Sequence, residues 1–314
     1  MFRLQLLPTQ CDPLDMTSTS RGLIVGLATV MMFGTVVVMQ RLLIEEGIAT
    51  EAAVGLRYLV GGLVCLGILA GLRRPVAPVR GERLRAFLLG ALLYGMQAVL
   101  FYQALQHGTV ATVSLLFYTY PALILIASLA LGLRRWSWYA GAAALMSAVG
   151  AALVVVSGRE VGIDPIGIAL ALGSACFVTV FLLINKRLLP LSPALSASAW
   201  VSFGVAASTL TVAVAQGQIH DISGRAAWLL LISGALTGLG TAGMYVALAA
   251  LGPPRTAVLL SLQTVVAVSG SALVLGQPVL AGQLLGGALI ISAIALGALS
   301  PHDARAPEAL AEEG

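Results

Sequence analysis

Charged residues are scarce in this chain of 314 residues: they make up 10% of the sequence, against about 25% in soluble domains. Hydrophobic residues account for 59%. A compact globule of this length would need more polar surface than the chain can supply. The composition therefore excludes a soluble enzyme and a disordered chain, and it places the protein in a lipid bilayer.

Cysteine is also rare, and motifs for chemistry are missing. Cys11, Cys65 and Cys176 form no Cys-x-x-Cys pair, so neither a disulfide framework nor a zinc site is expected. One Gly-x-Gly-x-x-Gly pattern, at residues 238–243, lies inside an apolar run. It lacks the acidic residue that a dinucleotide site needs about 20 residues further on. We therefore expect no cofactor, no metal and no enzymatic activity.

Long apolar runs dominate the chain instead. About 20 apolar residues cross a bilayer as a helix, and lipid offers a backbone amide no partner outside its own segment. The predicted fold class is therefore an all-α integral membrane protein with ten transmembrane helices. The predicted spans are residues 22–44, 51–71, 84–105, 108–131, 137–156, 163–185, 194–215, 226–250, 254–275 and 280–299. Polar tails are expected at residues 1–21 and 301–314, with Met16 as a natural start.

The loops between these spans differ in charge. With a cytoplasmic N-terminus, 13 of the 17 Lys and Arg residues fall on the inner side and three on the outer side. Since cytoplasmic loops are enriched in Lys and Arg, both termini are predicted to be cytoplasmic, in a bacterial-type inner membrane. The net charge of +4 then requires no nucleic acid as a partner. The expected partners are a small-molecule substrate and the lipid bilayer, and a homodimer is left open.

The two halves of the chain resemble each other at a shift of about 143 residues. The matching segments are 101–105 with 244–248, 115–116 with 259–260, and 131–132 with 275–276. Five helices per half is an odd number, so the halves, residues 22–157 and 163–300, are predicted to insert with opposite orientations. Inverted repeats of this kind place a substrate site near the membrane midplane and allow alternating access.

Several motifs that are unspecific one by one form a recognisable pattern together. They are Met-Phe-Gly at 32–34, Arg57, Phe-Tyr-Gln-Ala-Leu at 101–105, Ala-Thr-Val-Ser-Leu-Leu at 111–116 followed by Pro121, and two glycine-rich spans, the fifth and the tenth. With the repeat, this pattern resembles the drug/metabolite transporter superfamily in its ten-helix form with two EamA domains, over residues 20–300. The resemblance implies export of small metabolites, amino acids or drugs through a central cavity lined by helices 1, 3, 4, 6, 8 and 9.

The chain departs from the family pattern at four positions. Phe33 stands where the family often has Trp, and Leu133 and Gln277 stand where it often has Glu. Val265 occupies the helix 9 position that corresponds to Pro121. The predicted function is export of small amphipathic metabolites such as amino acids by alternating access. Multidrug efflux, solute uptake, an intramembrane enzyme and a non-transporting membrane scaffold are the alternatives.

Polar and aromatic side chains inside the spans are the candidates for lining a cavity, since amides, phenols and rings can orient an amphipathic ligand. On the third span, Gly90, Tyr94, Gln97 and Phe101 recur at helical spacing and are expected to share one face. The predicted substrate-binding residues are Phe33, Gln40, Arg57, Tyr94, Gln97, Phe101, Tyr118, Phe177, Tyr245 and Gln263. Further candidates are Ser114, Phe117, Tyr120, Ser261 and Thr264.

Three residues carry more specific expectations. Arg57 is the only basic residue well inside a span, where a charge is costly unless it faces a cavity or reaches the interface. It would either attract carboxylates or pack against carbonyl groups. Pro121 removes one helical hydrogen bond and is expected to kink the fourth span, as a hinge or as a static bend. His107 is expected to be a solvated loop side chain with no ligand partner.

The acidic residues generate a prediction about energy coupling. None of them lies in the middle of a predicted span, whereas a proton-coupled exchanger usually relies on an ionisable group inside the membrane. We therefore expect solute flux in proteoliposomes to follow the solute gradient without an imposed pH gradient. Flux that depends strictly on an imposed proton gradient would refute this expectation.

Overall fold

A computed structural model describes residues 16–131, 137–160, 162–218, 222–251 and 253–299. Residues 1–15, with Cys11, and the predicted C-terminal tail at residues 301–314 lie outside these ranges. Residues 16–21, which were predicted as part of the N-terminal tail, belong to the first helix. Throughout the described ranges the regular structure is helical. The ten helices are α1 (Met16–Glu45), α2 (Thr50–Gly71), α3 (Arg83–Ala104), α4 (Val110–Phe117 and Tyr120–Ala130), α5 (Trp138–Glu160), α6 (Pro165–Leu188), α7 (Ala194–Ala215), α8 (Gly224–Leu251), α9 (Pro253–Ser261 and Gln263–Leu275) and α10 (Ala281–Leu299).

Each predicted span corresponds to one of these helices, and the all-α membrane fold is confirmed. Nine helices in the described part of the chain are long and apolar enough to cross a membrane, and α10 adds a shorter apolar stretch, Ala281–Gly297. Local chemistry fixes several helix ends. Thr109 and Asp164 cap the starts of α4 and α6 by accepting backbone N–H bonds from Thr112 and Gly167. Gly276 ends α9 in the left-handed conformation, at φ 62°.

The packing of the helices is symmetric under exchange of the two halves. α1 packs on α8, and α6, its counterpart in the second half, packs on α3, the counterpart of α8. In the same way α1 contacts α9 while α6 contacts α4, and α2 contacts α8 while α7 contacts α3. The pairs α2–α7, α5–α10 and α4–α9 join helices that correspond to each other. The two sets of five helices therefore interlock instead of forming separate bundles.

Two helices are interrupted near their middles, at corresponding places in the sequence. α4 breaks at Tyr118 and Thr119, and α9 breaks at Leu262, about 143 residues later. At both breaks a tighter backbone bond replaces the helical one, from Thr119 N to Leu116 O and from Leu262 N to Leu259 O. The expected kink at Pro121 is thus a full interruption, because Pro121 lies in the first turn of a new helical segment. α9 breaks without a proline, and the hinge role of Pro121 stays a prediction.

The middle of α3 departs from α-helical geometry. Residues Leu89–Tyr94 form a π-helical turn, which rotates the residues on either side of it relative to a regular helix. Gly90 consequently faces α7: a Cβ placed on it would lie 2.0 Å from the carbonyl oxygen of Val201. Gly204 makes the reciprocal contact, with Phe87 O also 2.0 Å from its notional Cβ. The expectation that Gly90 lines a cavity together with Tyr94 is therefore wrong, since Gly90 packs directly against the backbone of α7.

The α3–α7 crossing can be tested by adding a single methyl group. Gly204→Ala forces the α3 backbone away, so we expect a loss of about 1–3 kcal/mol, as for other overpacked sites, in the free energy of unfolding in detergent. Gly67→Ala on α2 is the matched control, because no atom lies within 4 Å of its notional Cβ. The control should be neutral or slightly stabilising, since alanine favours a helix over glycine by about 0.5–1 kcal/mol. Equal stability of the two variants would contradict the close crossing.

Candidate functional site

Arg57 lies in the interior of the protein between two tyrosine rings. Its side chain is 2% exposed, and its guanidinium carbon lies 4.7 Å from the ring centroid of Tyr58 and 4.6 Å from that of Tyr102. Ring faces attract a cation at such distances. Its Nε and Nη2 atoms have no hydrogen-bond partner in the described part of the chain, and no carboxylate there forms an ion pair with it. The cation is therefore held by rings while part of its donor capacity is unused.

Further aromatic rings continue from the two tyrosines in an unbroken series of contacts. Tyr58 meets Tyr94 edge-on at 5.8 Å between ring centroids, and Tyr94 contacts Phe181 of α6 at 4.8 Å. On the other side, Tyr102 contacts Phe101 at 5.0 Å. The series of contacts then reaches the break in α4 through three ring pairs, Phe101–Phe117 at 5.0 Å, Phe117–Tyr118 at 5.6 Å and Phe117–Tyr120 at 5.3 Å. We call these nine residues, Arg57 with Tyr58, Tyr94, Phe101, Tyr102, Phe117, Tyr118, Tyr120 and Phe181, the aromatic cage.

Three other buried polar side chains also lack partners within the described residues. Gln40 of α1 is 0% exposed, and neither its amide nitrogen nor its amide oxygen is hydrogen-bonded. The hydroxyls of Ser114 on α4 and Thr264 on α9 are equally buried and unsatisfied. Buried polar groups without partners are uncommon and costly, and each needs an explanation such as a ligand or a water molecule. Together with Arg57 these residues come from both halves of the chain.

Other predicted site residues make contacts within the protein. The Gln97 amide donates to Ser174 Oγ of α6 at 3.1 Å, and Ser174 donates back to the Gln97 carbonyl at 2.9 Å. The hydroxyl of Tyr245 bonds to Ser198 of α7 at 2.6 Å. Both contacts are hydrogen bonds between helices, which is the alternative to a substrate-binding role for such side chains.

The remaining candidates lie apart from the aromatic cage. The ring of Phe33 packs on Gly240 of α8, and the backbone carbonyl of Gln263 faces Gly34 of α1. Phe177 of α6 is half-buried and has no ring contact among the described residues. The structure thus brings together Arg57, Tyr94, Phe101 and Tyr118, and it adds Tyr58, Tyr102 and Phe181, which were missed because they fall outside the helical faces selected in the sequence.

A second site lies at the end of the molecule where α1, α3 and α9 finish and α4 and α6 begin. It is an open cavity of about 300 Å³ lined by Arg41, Gln106, His107, Gly108, Thr109, Gly162, Asp164 and Gln277; we call it the polar pocket. His107 is a partly exposed loop side chain, and its Nδ1 lies 2.9 Å from Asp164 Oδ2, a contact that the sequence did not predict. The N–H of Gly167 and the ring of His107 hold the pKa of Asp164 below its ordinary value.

The comparisons with known proteins bear on this architecture. Residues 20–156 match the model of the EamA-like transporter family. This segment is therefore similar to EamA-like transporters. The matched segment contains every residue of the aromatic cage except Phe181. The expected resemblance to the drug/metabolite transporter superfamily is confirmed over residues 20–156, and the chain is a multi-pass membrane protein.

The whole fold also has a known counterpart. A crystal structure of a protein superimposes with a TM-score of 0.63 and 16% sequence identity, and the alignment covers 88% of this chain and 96% of that one. At this identity the likeness shows the fold alone. Among curated proteins, none matches the chain. The described residues contain no group of three or more His, Cys, Asp or Glu side chains that could hold a metal ion.

The Gln97–Ser174 contact gives a prediction that separates packing from substrate binding. If Gln97 mainly joins α3 to α6, Gln97→Leu and Ser174→Ala should both lower stability. The double variant should then lose less than the sum of the two, with a coupling of about 0.6 kcal/mol that is typical of hydrogen bonds between membrane helices. Unfolding free energies of the four proteins in detergent give this coupling. Additive losses, with transport lowered by Gln97→Leu alone, would instead return Gln97 to the substrate-binding set.

Proposed function

We propose that the protein exports small amphipathic metabolites, amino acids among them, by alternating access between its two five-helix halves. The observation that carries this proposal is the unpaired Arg57 guanidinium inside the aromatic cage. A charge in the interior of a membrane protein is costly unless it meets a partner or water. Because no carboxylate among the described residues pairs with it, the missing counter-charge is assigned to a ligand.

The surroundings of Arg57 define the chemistry of that ligand. The two unused donors of the guanidinium match a carboxylate, which accepts two parallel N–H bonds from arginine. The aromatic rings beside it offer an apolar surface for a side chain. Gln40, Ser114 and Thr264 offer further unused polar atoms, which suit an amphipathic molecule better than a purely apolar one. A cationic drug would be repelled by Arg57, and this disfavours multidrug efflux of cations.

Three features support movement between two states. The interrupted helices α4 and α9 occupy corresponding positions in residues 22–157 and 163–300, and such broken helices mark the binding sites of inverted-repeat transporters. The helix contacts exchange symmetrically between the halves. The aromatic cage lies on α2, α3, α4 and α6, so it spans both halves and would change as one rocks against the other. A non-transporting scaffold leaves these features unexplained.

Orientation follows from the loop charges. We place both termini in the cytoplasm and the protein in a bacterial-type inner membrane, because 13 basic residues then lie inside. In this orientation α2 enters the membrane from the outside at Thr50, and Arg57 lies seven residues, or roughly 10 Å by helical rise, below the outer end of α2. The aromatic cage would then lie in the outer half of the membrane, beneath the polar pocket.

Arg57→Met tests the proposal because it separates function from stability. If Arg57 serves a ligand, its removal should lower the flux of an amphipathic amino acid such as phenylalanine in proteoliposomes at least tenfold. The melting temperature in detergent should not fall by more than a few degrees, since a buried charge without a counter-charge costs stability and methionine removes that cost. If Arg57 is only a packing residue, the variant should unfold more easily and any folded fraction should transport normally.

Arg225→Met is the matched control. Arg225 is a basic residue at the start of α8 that is exposed and pairs with Glu46 at 2.8 Å. Exposed pairs of this kind contribute about 0–1 kcal/mol, so flux and melting temperature should both match the unmodified protein. Normal flux through Arg57→Met at normal stability would overturn the assignment of Arg57 to the substrate.

A further inference from the structure

We infer that the polar pocket is a second binding site, which receives the zwitterionic head group of an α-amino acid before or after its passage through the aromatic cage. The inference rests on the proposed function and names its substrate class. It starts from the cavity of about 300 Å³, which is at the small end of the range for ligand pockets, about 300–1,000 Å³. A cavity of that size accommodates a small metabolite and not a large drug.

The walls of the pocket carry both signs of charge. On one side Arg41 of α1 presents a guanidinium whose Nη1 donates to the Leu105 carbonyl and whose Nε lies 3.4 Å from Glu45. On the other side Asp164, at the start of α6, presents a carboxylate whose side chain is 45% exposed. A zwitterion offers each of them a partner, a carboxylate for Arg41 and an ammonium group for Asp164. An anion or a cation alone would satisfy one wall and be repelled by the other.

The pocket also has directional polar groups. The Gln277 side-chain oxygen accepts from the backbone N–H of Val110 at 2.9 Å, which leaves its amide N–H₂ as a donor on the wall of the cavity. The amide of Gln106 donates to Thr50 at 2.8 Å, so its oxygen is left as an acceptor. Both amides are thus fixed by one bond within the protein, and fixed groups lose little entropy when they bind a ligand.

The pocket and the aromatic cage meet at the end of α3. Arg41 bonds to the carbonyl of Leu105, and the ring of Tyr102, three residues earlier, covers Arg57. Three residues are less than one helical turn. The last turn of α3 thus contacts both arginines, and a carboxylate that leaves Arg41 would next meet Arg57, whose Nε and Nη2 are unused. The two arginines would bind the same carboxylate one after the other.

Asp164 also caps the start of α6, so a variant that tests its charge must preserve this cap. Its Oδ1 accepts from Gly167 N at 2.7 Å and caps α6, and its Oδ2 contacts His107. Asn caps a helix as well as Asp does, so Asp164→Asn preserves the cap and removes the charge. Glu46→Gln serves as the matched control, because Glu46 is at the same end of the protein and pairs with Arg225, outside the pocket.

The experiment compares a zwitterion with its deaminated analogue. Flux of phenylalanine and of 3-phenylpropionate is measured in proteoliposomes with the solute supplied from either face. For Asp164→Asn we expect the KM for phenylalanine to rise at least fivefold at the face that bears the pocket. The KM for 3-phenylpropionate should not rise at either face, because this solute has no ammonium group for Asp164 to bind. Arg41→Gln should raise the KM for both solutes at that face, and Glu46→Gln should change neither.

The outcomes separate this inference from the proposed function. If the unmodified protein carries phenylalanine and Asp164→Asn leaves its KM unchanged at both faces, the pocket is not a zwitterion site, while the proposed function stands. Equal rises for phenylalanine and 3-phenylpropionate in Asp164→Asn would also overturn the inference, because the ammonium group would then play no part. If the unmodified protein carries neither solute, the proposed function fails first, and the inference fails with it.

Discussion

In lipid, every backbone amide must find its hydrogen-bond partner within its own helix, and this constraint organises the protein. It explains why an apolar chain of this composition forms ten helices and short loops. It also makes each departure from regular helix costly. The π-helical turn in α3 and the interruptions of α4 and α9 are such departures. Tyr94 ends the π-turn and Tyr118 lies at the first interruption, so two of the three departures adjoin the aromatic cage.

Close contacts between helices determine where that cage lies. Gly90 and Gly204 allow the backbones of α3 and α7 to touch, which fixes the rotation of α3 at the start of the π-turn. Above it, Gln97 is bonded to Ser174 of α6. Between these two attachments, Tyr94 has little freedom to rotate away from Tyr58 and Phe181. Small residues and one hydrogen-bonded pair thus position large rings, and the rings in turn hold Arg57.

The sequence predicted the fold closely because hydropathy along one chain is enough to find membrane helices. It predicted part of the site for a different reason: Arg57 is conspicuous as a charge, and Tyr94, Phe101 and Tyr118 as rings. What it could not supply was the rotation of each helix about its axis. Tyr102 was left out for lying next to Phe101 on the helix, although both belong to the cage.

Rotation and long-range pairing also account for the errors. Gly90 was misplaced because a π-turn has no clear signature in a run of apolar residues. His107 and Asp164 are 57 residues apart, on loops whose proximity depends on how α3 packs against α6. The break in α9 has no proline to announce it, and only the repeat relation to α4 gives a hint. Each error therefore concerns contacts between elements and not the elements themselves.

The charged side chains of the polar pocket are partly exposed and paired, whereas the arginine of the aromatic cage is buried. Desolvation of the charged groups therefore increases from the polar pocket to the aromatic cage. In the polar pocket Arg41 is paired with Glu45 and Asp164 with His107, and the side chains are partly exposed. In the aromatic cage Arg57 is buried and has rings in place of a carboxylate. A carboxylate that moves inward would leave Arg41, which is partly hydrated and also pairs with Glu45, and would bind Arg57, which is buried and has no carboxylate partner. Since attraction between charges strengthens as the effective dielectric constant falls, the inner arginine can compensate for the water that such a ligand loses.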